Sequence, residues 1–114
     1  LKGHIEILKL LVAAGGEINQ SGWTPLIYAA FEGHEDVIEF LISKGAEIDA
    51  VAPNQATALM VASKNGHLET VKLLLKAEAD TDIKTPEGAT ALKWAAEGGH
   101  AQIVELLKEA GAEQ

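Results

Sequence analysis

Four histidines recur once in each stretch of about 33 residues, and they are the residues here whose type and spacing could do chemistry. They are His4, His34, His67 and His100, each directly after a glycine. Imidazole binds metals and transfers protons near neutral pH, so a zinc site or a proton relay deserves weighing. Side chains at one position of stacked helical units lie about 10 Å apart, whereas zinc ligands lie about 2 Å from the ion. We therefore predict no metal site and expect the histidines to form hydrogen bonds that tie the turns between helices.

Nucleophilic catalysis is the second chemistry to consider, because Ser63, His67 and nearby acids could be combined into a triad. No strand-to-helix nucleophile elbow accompanies them. The glycine pairs Gly15-Gly16 and Gly98-Gly99 lack a phosphate-loop pattern, and the acids lack the spacing of an EF-hand. We predict no catalytic residue, no cofactor and no enzymatic activity.

The histidines are positioned by a repeated unit whose clearest copy runs from Thr24 to Gly45. Thr24 is suited to cap a helix N-terminus, and Pro25 is suited to the first helical position, where its missing N–H costs nothing. Gly33 can adopt the left-handed conformation that ends a short helix. The opening phrase returns as Thr57-Ala58-Leu59 and as Thr90-Ala91-Leu92, which predicts the same helix in each unit.

A second helix is predicted after each Gly-His pair, because apolar residues there follow spacings of three and four. In the clearest copy these residues are Val37, Ile38, Phe40, Leu41 and Ile42. The unit therefore consists of two helices joined by a tight turn.

The sequence resembles an ankyrin-repeat protein in its Thr24-Pro25-Leu26 phrase, its Ala-Ala and Gly-His pairs and its segment Gly45-Ala46-Glu47-Ile48-Asp49. The resemblance implies an all-α fold, an ankyrin-repeat solenoid of stacked antiparallel helix pairs with connecting β-hairpin loops. We expect a single domain over residues 1–114, with a partial repeat at 1–19 and repeats at about 20–49, 50–82 and 83–114. Such proteins usually bind another protein in a concave groove formed by the hairpin tips and the first helices.

The N-terminal part departs from the pattern. Residues 1–15 read as a second helix without its first helix, so we expect a fragment of a longer protein. Four residues separate Asn19 from Thr24, whereas seven separate Asp49 from Thr57. Either the first hairpin is truncated or a tip is absent from this sequence.

Two other departures concern residues that replace glycine. Gln55 stands where Gly88 precedes the last threonine, and we expect the turn to shift towards Asn54, which tolerates a positive φ better. Glu78 stands where Gly45 ends another second helix. If Glu78 is left-handed, it costs roughly 1 kcal/mol relative to glycine.

Composition narrows the choice of partner. The chain has no cysteine, 47% apolar residues and a formal net charge of −8, and its nine basic residues are scattered. Binding to nucleic acid or to an anionic membrane needs concentrated positive charge, so we expect neither. We expect a monomeric, intracellular, cytoplasmic protein whose protein partner has a basic or mixed-charge surface.

Residues of the expected groove are those that fall on the hairpin tips and on the first-helix surface outside the buried stripe. They are Ser21, Trp23, Ile27, Phe31, Glu32, Asn54, Ala56, Met60, Lys64, Asn65, Glu87, Ala89, Lys93 and Glu97. Trp23 and Phe31 stand where the other repeats have small or charged residues, which is typical of interface anchors. The alternative is that both aromatic side chains pack against the stack and cover its end.

We conclude that the sequence favours a non-enzymatic module that binds a partner protein on its concave face. The alternative is a structural or engineered repeat scaffold without a dedicated partner. Near-consensus units favour the scaffold, whereas Gln55, Glu78 and the short first hairpin are irregularities that an idealised design would avoid.

Overall fold

The computed structural model of the chain describes residues 24–112, which form three helix pairs. Their bounds are α1 Pro25–Glu32, α2 Glu35–Ser43, α3 Ala58–Lys64, α4 Leu68–Lys76, α5 Ala91–Glu97 and α6 Ala101–Glu109. Over this range the only extended pairing is one antiparallel bridge between Val51 and Thr57. The all-α prediction is confirmed, and the predicted partial repeat at 1–19 lies outside the described residues.

Each first helix begins at a threonine, as the repeated phrase predicts. The Oγ1 atoms of Thr24, Thr57 and Thr90 accept hydrogen bonds from the backbone N–H three residues later, at 3.1, 3.2 and 3.1 Å. These bonds satisfy one of the four backbone donors that every helix N-terminus leaves unpaired. Pro25 occupies the start of α1, where its missing N–H removes another such donor.

The turn between the two helices of a pair depends on a left-handed glycine. Gly33 has φ +75°, and Gly66 and Gly99 both have φ +76°. The prediction for Gly33 is therefore confirmed, and the same device recurs in each described pair. Glycine reaches this conformation without steric cost, so the chain reverses within two residues.

Helix pairs stack in register to form one continuous apolar core. First helices pack against first helices and second helices against second helices, with the more extensive contact on the first-helix side. Small residues such as Ala30, Ala62 and Ser63 lie fully buried there and allow the close approach. Larger side chains of the second helices, such as Leu41, Leu74 and Leu107, are fully buried in the same core.

The expectation that the turn shifts at Gln55 is wrong. Gln55 itself adopts φ +70°, and its N–H donates to the carbonyl of Ala52 at 2.7 Å. Gly88 has φ +86° and makes the same bond to Thr85 at 2.8 Å. The two hairpins therefore share one register, because the flanking backbone pairing determines the turn more strongly than the strain at Gln55.

Glu78 adopts the left-handed conformation that its glycine counterparts suggest. Its φ is +68°, compared with +85° at Gly45 and +96° at Gly111. Neither of these glycines has a neighbouring atom within 4 Å of the place where a Cβ would lie, so space does not exclude a side chain there. The cost at Glu78 therefore arises from the backbone conformation.

Candidate functional site

The exposed side chains of α1, α3 and α5, together with Asn65 directly after α3, form a surface that we call the first-helix face. Its members are Tyr28, Phe31, Glu32, Lys64, Asn65, Lys93 and Glu97. Tyr28 and Phe31 lie about one helical turn apart, and 53% and 49% of their respective surfaces are exposed. Tyr28 was not among the residues that sequence reasoning selected, and its only signal was a tyrosine where another repeat has Val61.

Most of the predicted groove residues are exposed. On the first-helix face these are Phe31, Glu32, Lys64, Asn65, Lys93 and Glu97, and on the two hairpin tips they are Asn54 and Glu87. Ser21 and Trp23 lie outside the described residues, so their assignment to a binding site stays a prediction. The exposure of Phe31 argues against the alternative that it packs down to cover the stack.

Four predicted groove residues are instead buried, and their assignment to the surface is wrong. They are Ile27, Ala56, Met60 and Ala89. Ile27 and Met60 each retain only 1% exposure within the apolar core. Phe31 follows Ile27 by four positions, which suggests a shared helix face. The neighbouring first helix covers the N-terminal part of that face and leaves only its C-terminal turn open.

The histidines connect one repeat to the preceding one. His67 Nε2 lies 3.0 Å from the carbonyl oxygen of Phe31, and His100 Nε2 lies 3.1 Å from that of Lys64. A carbonyl oxygen can only accept, so Nε2 of each ring carries the hydrogen and donates. The structural interpretation of these histidines is therefore correct, although their bonds cross between repeats rather than staying within a turn.

Glycine makes room for these rings. A Cβ atom at Gly33 would lie 2.7 Å from His67 Nδ1, and one at Gly66 would lie 2.6 Å from the Cε1 atom of His100. Contacts this short require the ring to move away. The Gly33-His34 and Gly66-His67 pairs are thus explained by two demands, a left-handed turn and space for the histidine of the following repeat, whereas at Gly99 only the turn requires glycine.

Asn65 also contributes to the connection between repeats. Its side-chain Nδ2 donates to the carbonyl of Phe31 at 3.0 Å, so this oxygen accepts from both Asn65 and His67. Sequence reasoning assigned Asn65 only to the binding surface. The structure shows that its amide has an architectural role although the residue is exposed.

Lys64 and Trp94 form a contact between two repeats on the first-helix face. The Nζ atom of Lys64 lies 5.1 Å from the centroid of the Trp94 ring, within the range of a cation–π interaction. Trp94 is half-buried and packs against the core. The positive charge of Lys64 is therefore held at a defined place on the face.

The residues that could have formed a triad are engaged elsewhere. The buried hydroxyl of Ser63 donates to the carbonyl of Leu59 at 2.7 Å, while His67 bonds to the carbonyl of Phe31. A nucleophile and its base must be joined by a hydrogen bond, and these two side chains point to different partners. Within residues 24–112, no group of three or more His, Asp and Glu residues could hold a metal ion.

Two open depressions lie on the described surface. One of about 350 Å³ is lined by Gly88, Thr90, Lys93, Ala96 and Glu97, and it brings two of the predicted residues, Lys93 and Glu97, together. The other, of about 300 Å³, lies between α2 and α4. Small-molecule sites are enclosed clefts that bury most of their ligand, and neither depression has that shape.

The family assignment follows from the whole length of the chain. A family model described as ankyrin repeats (3 copies) matches residues 1–52 and 47–114. This chain belongs to the ankyrin-repeat family. Ankyrin repeats generally mediate protein–protein interaction, and the stacked helix pairs with glycine-histidine turns described above agree with that fold.

Curated relatives share parts of this ankyrin-repeat chain. Human protein phosphatase 1 regulatory subunit 27 is 47% identical over 53 residues, which are 44% of this chain and 34% of that protein. Notch-regulated ankyrin repeat-containing protein A of Danio rerio is 45% identical over 47 residues, which are 39% of this chain and 42% of that protein. NAD-capped RNA hydrolase NUDT12 of Macaca fascicularis is 42% identical over 43 residues, only 9% of that protein. The match thus spans less than half of each relative.

Among the helices between residues 24 and 112, none is long and apolar enough to cross a bilayer.

Proposed function

We propose that this chain is a non-enzymatic interaction module that binds a partner protein through the first-helix face and the adjacent hairpin tips. The observation that carries the proposal is the pair of exposed aromatic side chains on α1, Tyr28 and Phe31. Large aromatic residues are enriched among the anchors that supply most of an interface's binding free energy. In the other described repeats the position of Phe31 is occupied by Lys64 and Glu97, so stacking does not require an aromatic residue there.

Support for a non-catalytic role comes from the chemistry of the described residues and from the relatives. Histidine and serine side chains are engaged in backbone hydrogen bonds that stabilise the stack. The name of one relative describes a regulatory subunit, and the segment shared with the RNA hydrolase is a small part of that enzyme. We propose further that the module acts as an intracellular, cytoplasmic monomer, and that its partner has a basic or mixed-charge surface.

The test is site-specific photo-crosslinking in cell extract. A benzoyl-phenylalanine at position 31 should crosslink a partner protein, whereas the same group at Lys72, an exposed residue of α4, should not. If Phe31 is an anchor, Phe31→Ala should weaken binding of the identified partner by at least about 2 kcal/mol, or about 30-fold in Kd. The circular dichroism spectrum and the melting temperature of the variant establish that it is folded.

Two results would count against the proposal. Equal crosslinking from positions 31 and 72 would place the partner elsewhere or indicate non-specific contact. Absence of any crosslinked protein from position 31 would favour the alternative of a repeat scaffold without a dedicated partner.

A further inference from the structure

Lys64 on the first-helix face is ordered by an aromatic ring from the next repeat. Its Nζ atom lies 5.1 Å from the centroid of Trp94, whose side chain is half-buried against the core. An ammonium group is attracted to the face of an indole ring. The long lysine side chain therefore loses part of its rotamer freedom before any partner arrives, which lowers the entropic cost of binding.

The charge of Lys64 has no carboxylate opposite it in the described part of the chain. In this part of the chain Lys72 forms an ion pair with Glu69 at 3.3 Å, and His34 Nε2 lies 4.0 Å from the carboxylate of Glu32. The Trp94 ring attracts the ammonium but offers it no oxygen acceptor. An ammonium has three N–H donors, so the outward side of Lys64 can donate to a carboxylate of a partner.

Lys64 is the middle one of three exposed side chains at equivalent positions. Phe31, Lys64 and Glu97 occupy the same place on α1, α3 and α5. Packed helices lie about 8–10 Å apart, and an extended chain advances about 3.3 Å per residue. The face thus offers an apolar, a cationic and an anionic contact at steps of about three residues of an extended peptide.

We propose that the partner supplies an extended segment with an apolar, an acidic and a basic side chain in that order, about three residues apart. The apolar side chain contacts Phe31, the acidic one contacts Lys64 and the basic one contacts Glu97. The segment can run across the repeats in either N-to-C direction. The proposal rests on the proposed function, since it requires the first-helix face to bind protein. A net charge of −8 disfavours a uniformly acidic segment, so the single carboxylate has neutral or basic neighbours. The order of the three contacts determines specificity, because each wrong pairing leaves a charge opposed or unpaired.

The test starts from a phage-displayed random library of about 12-residue peptides, long enough to span three repeats. Selected peptides should share the apolar, acidic and basic order. Binding of a synthetic selected peptide is then measured by fluorescence anisotropy. Lys64→Gln should weaken binding about two- to fivefold, and the effect should shrink in about 0.5 M salt, as expected for an exposed charge pair.

A matched control is available on the other side of the stack. Lys44 also lies over an aromatic ring, with its Nζ atom 5.7 Å from the centroid of Phe40, but it follows α2 rather than a first helix. Lys44→Gln should leave the affinity of the peptide unchanged, and Lys64→Arg should retain most of it. Lys64→Glu should bind a peptide whose acidic residue is replaced by lysine better than it binds the original peptide.

The outcomes separate this inference from the proposed function. If Phe31→Ala abolishes peptide binding but Lys64→Gln has no effect, or if selected peptides lack the acidic residue, the inference is overturned and the proposed function stands. If no peptide is enriched, the inference is overturned, and crosslinking from position 31 decides whether the proposed function stands. If folded Phe31→Ala binds the selected peptides normally, both are overturned.

Discussion

Thr70 is a buried threonine whose hydroxyl has no hydrogen-bond partner among the described residues, and its replacement by valine should stabilise the fold. The residue retains 1% exposure, and its Oγ1 atom is completely covered. The equivalent positions in the other repeats hold Val37 and Ile103, both buried. An unpaired buried hydroxyl costs about 1–3 kcal/mol, and valine has nearly the same shape and helix propensity as threonine. We expect Thr70→Val to raise the free energy of unfolding by about 1–2 kcal/mol.

The same substitution at Thr57 provides the control. Thr57 is equally buried, but its Oγ1 accepts a hydrogen bond from the N–H of Met60 and caps α3. Thr57→Val should therefore lower the free energy of unfolding by about 1 kcal/mol. Urea denaturation, monitored by circular dichroism, measures the free energy of unfolding of both variants. The melting temperature should rise by about 4 °C for each kcal/mol of stability gained. A Thr70→Val variant that is no more stable than the parent, with an unchanged m-value, would refute the reasoning.

Three other predictions concern packing and the connections between repeats. In urea denaturation, Glu78→Gly should stabilise the fold by about 0.5–1 kcal/mol more than Glu78→Ala does, because only glycine adopts the left-handed backbone without strain. Equal effects of the two variants would show that loss of the Glu78 charge, rather than relief of strain, changes stability. Met60→Ala should lower the free energy of unfolding by about 2–5 kcal/mol, and therefore the melting temperature, whereas Lys64→Ala should change it by less than about 0.5 kcal/mol. Similar losses in the two variants would contradict the burial of Met60. His67→Phe keeps a ring beside Gly33 but loses the donor to Phe31, and we expect a loss of about 1 kcal/mol by calorimetry; a neutral result would mean that the bond adds nothing.

Local signals in the sequence were sufficient to predict most of the fold. Capping by Thr24 depends only on a hydroxyl and the first helical turn, and the turn at Gly33 depends only on the absence of a Cβ. Both features repeat at a fixed period, so several weak signals support one another. The prediction of two helices in each unit succeeded for this reason, and the prediction that these pairs stack came from the resemblance to ankyrin repeats.

Contacts between repeats were harder to predict, because a single unit does not show what its neighbour covers. Ile27 and Phe31 share a helix face by spacing, yet only stacking decides that the first is buried and the second exposed. The position of Lys64 over Trp94 likewise depends on side chains 30 residues apart in sequence meeting across an interface. The low tolerance of glutamine for a positive φ predicts a shifted turn at Gln55. This prediction is wrong because the backbone hydrogen bonds of the hairpin hold Gln55 in the left-handed conformation.

Phe31 and Lys64 each use two separate parts of the same residue for two separate tasks. Their carbonyl oxygens receive the histidine of the following repeat, while their side chains extend from the outer turn of the helix. Every amino acid has the same backbone carbonyl. A substitution at this position can therefore change the side chain without disturbing the hydrogen bond that aligns the repeats. Equivalent positions can consequently carry an aromatic, a basic or an acidic side chain, as Phe31, Lys64 and Glu97 do, within one architecture.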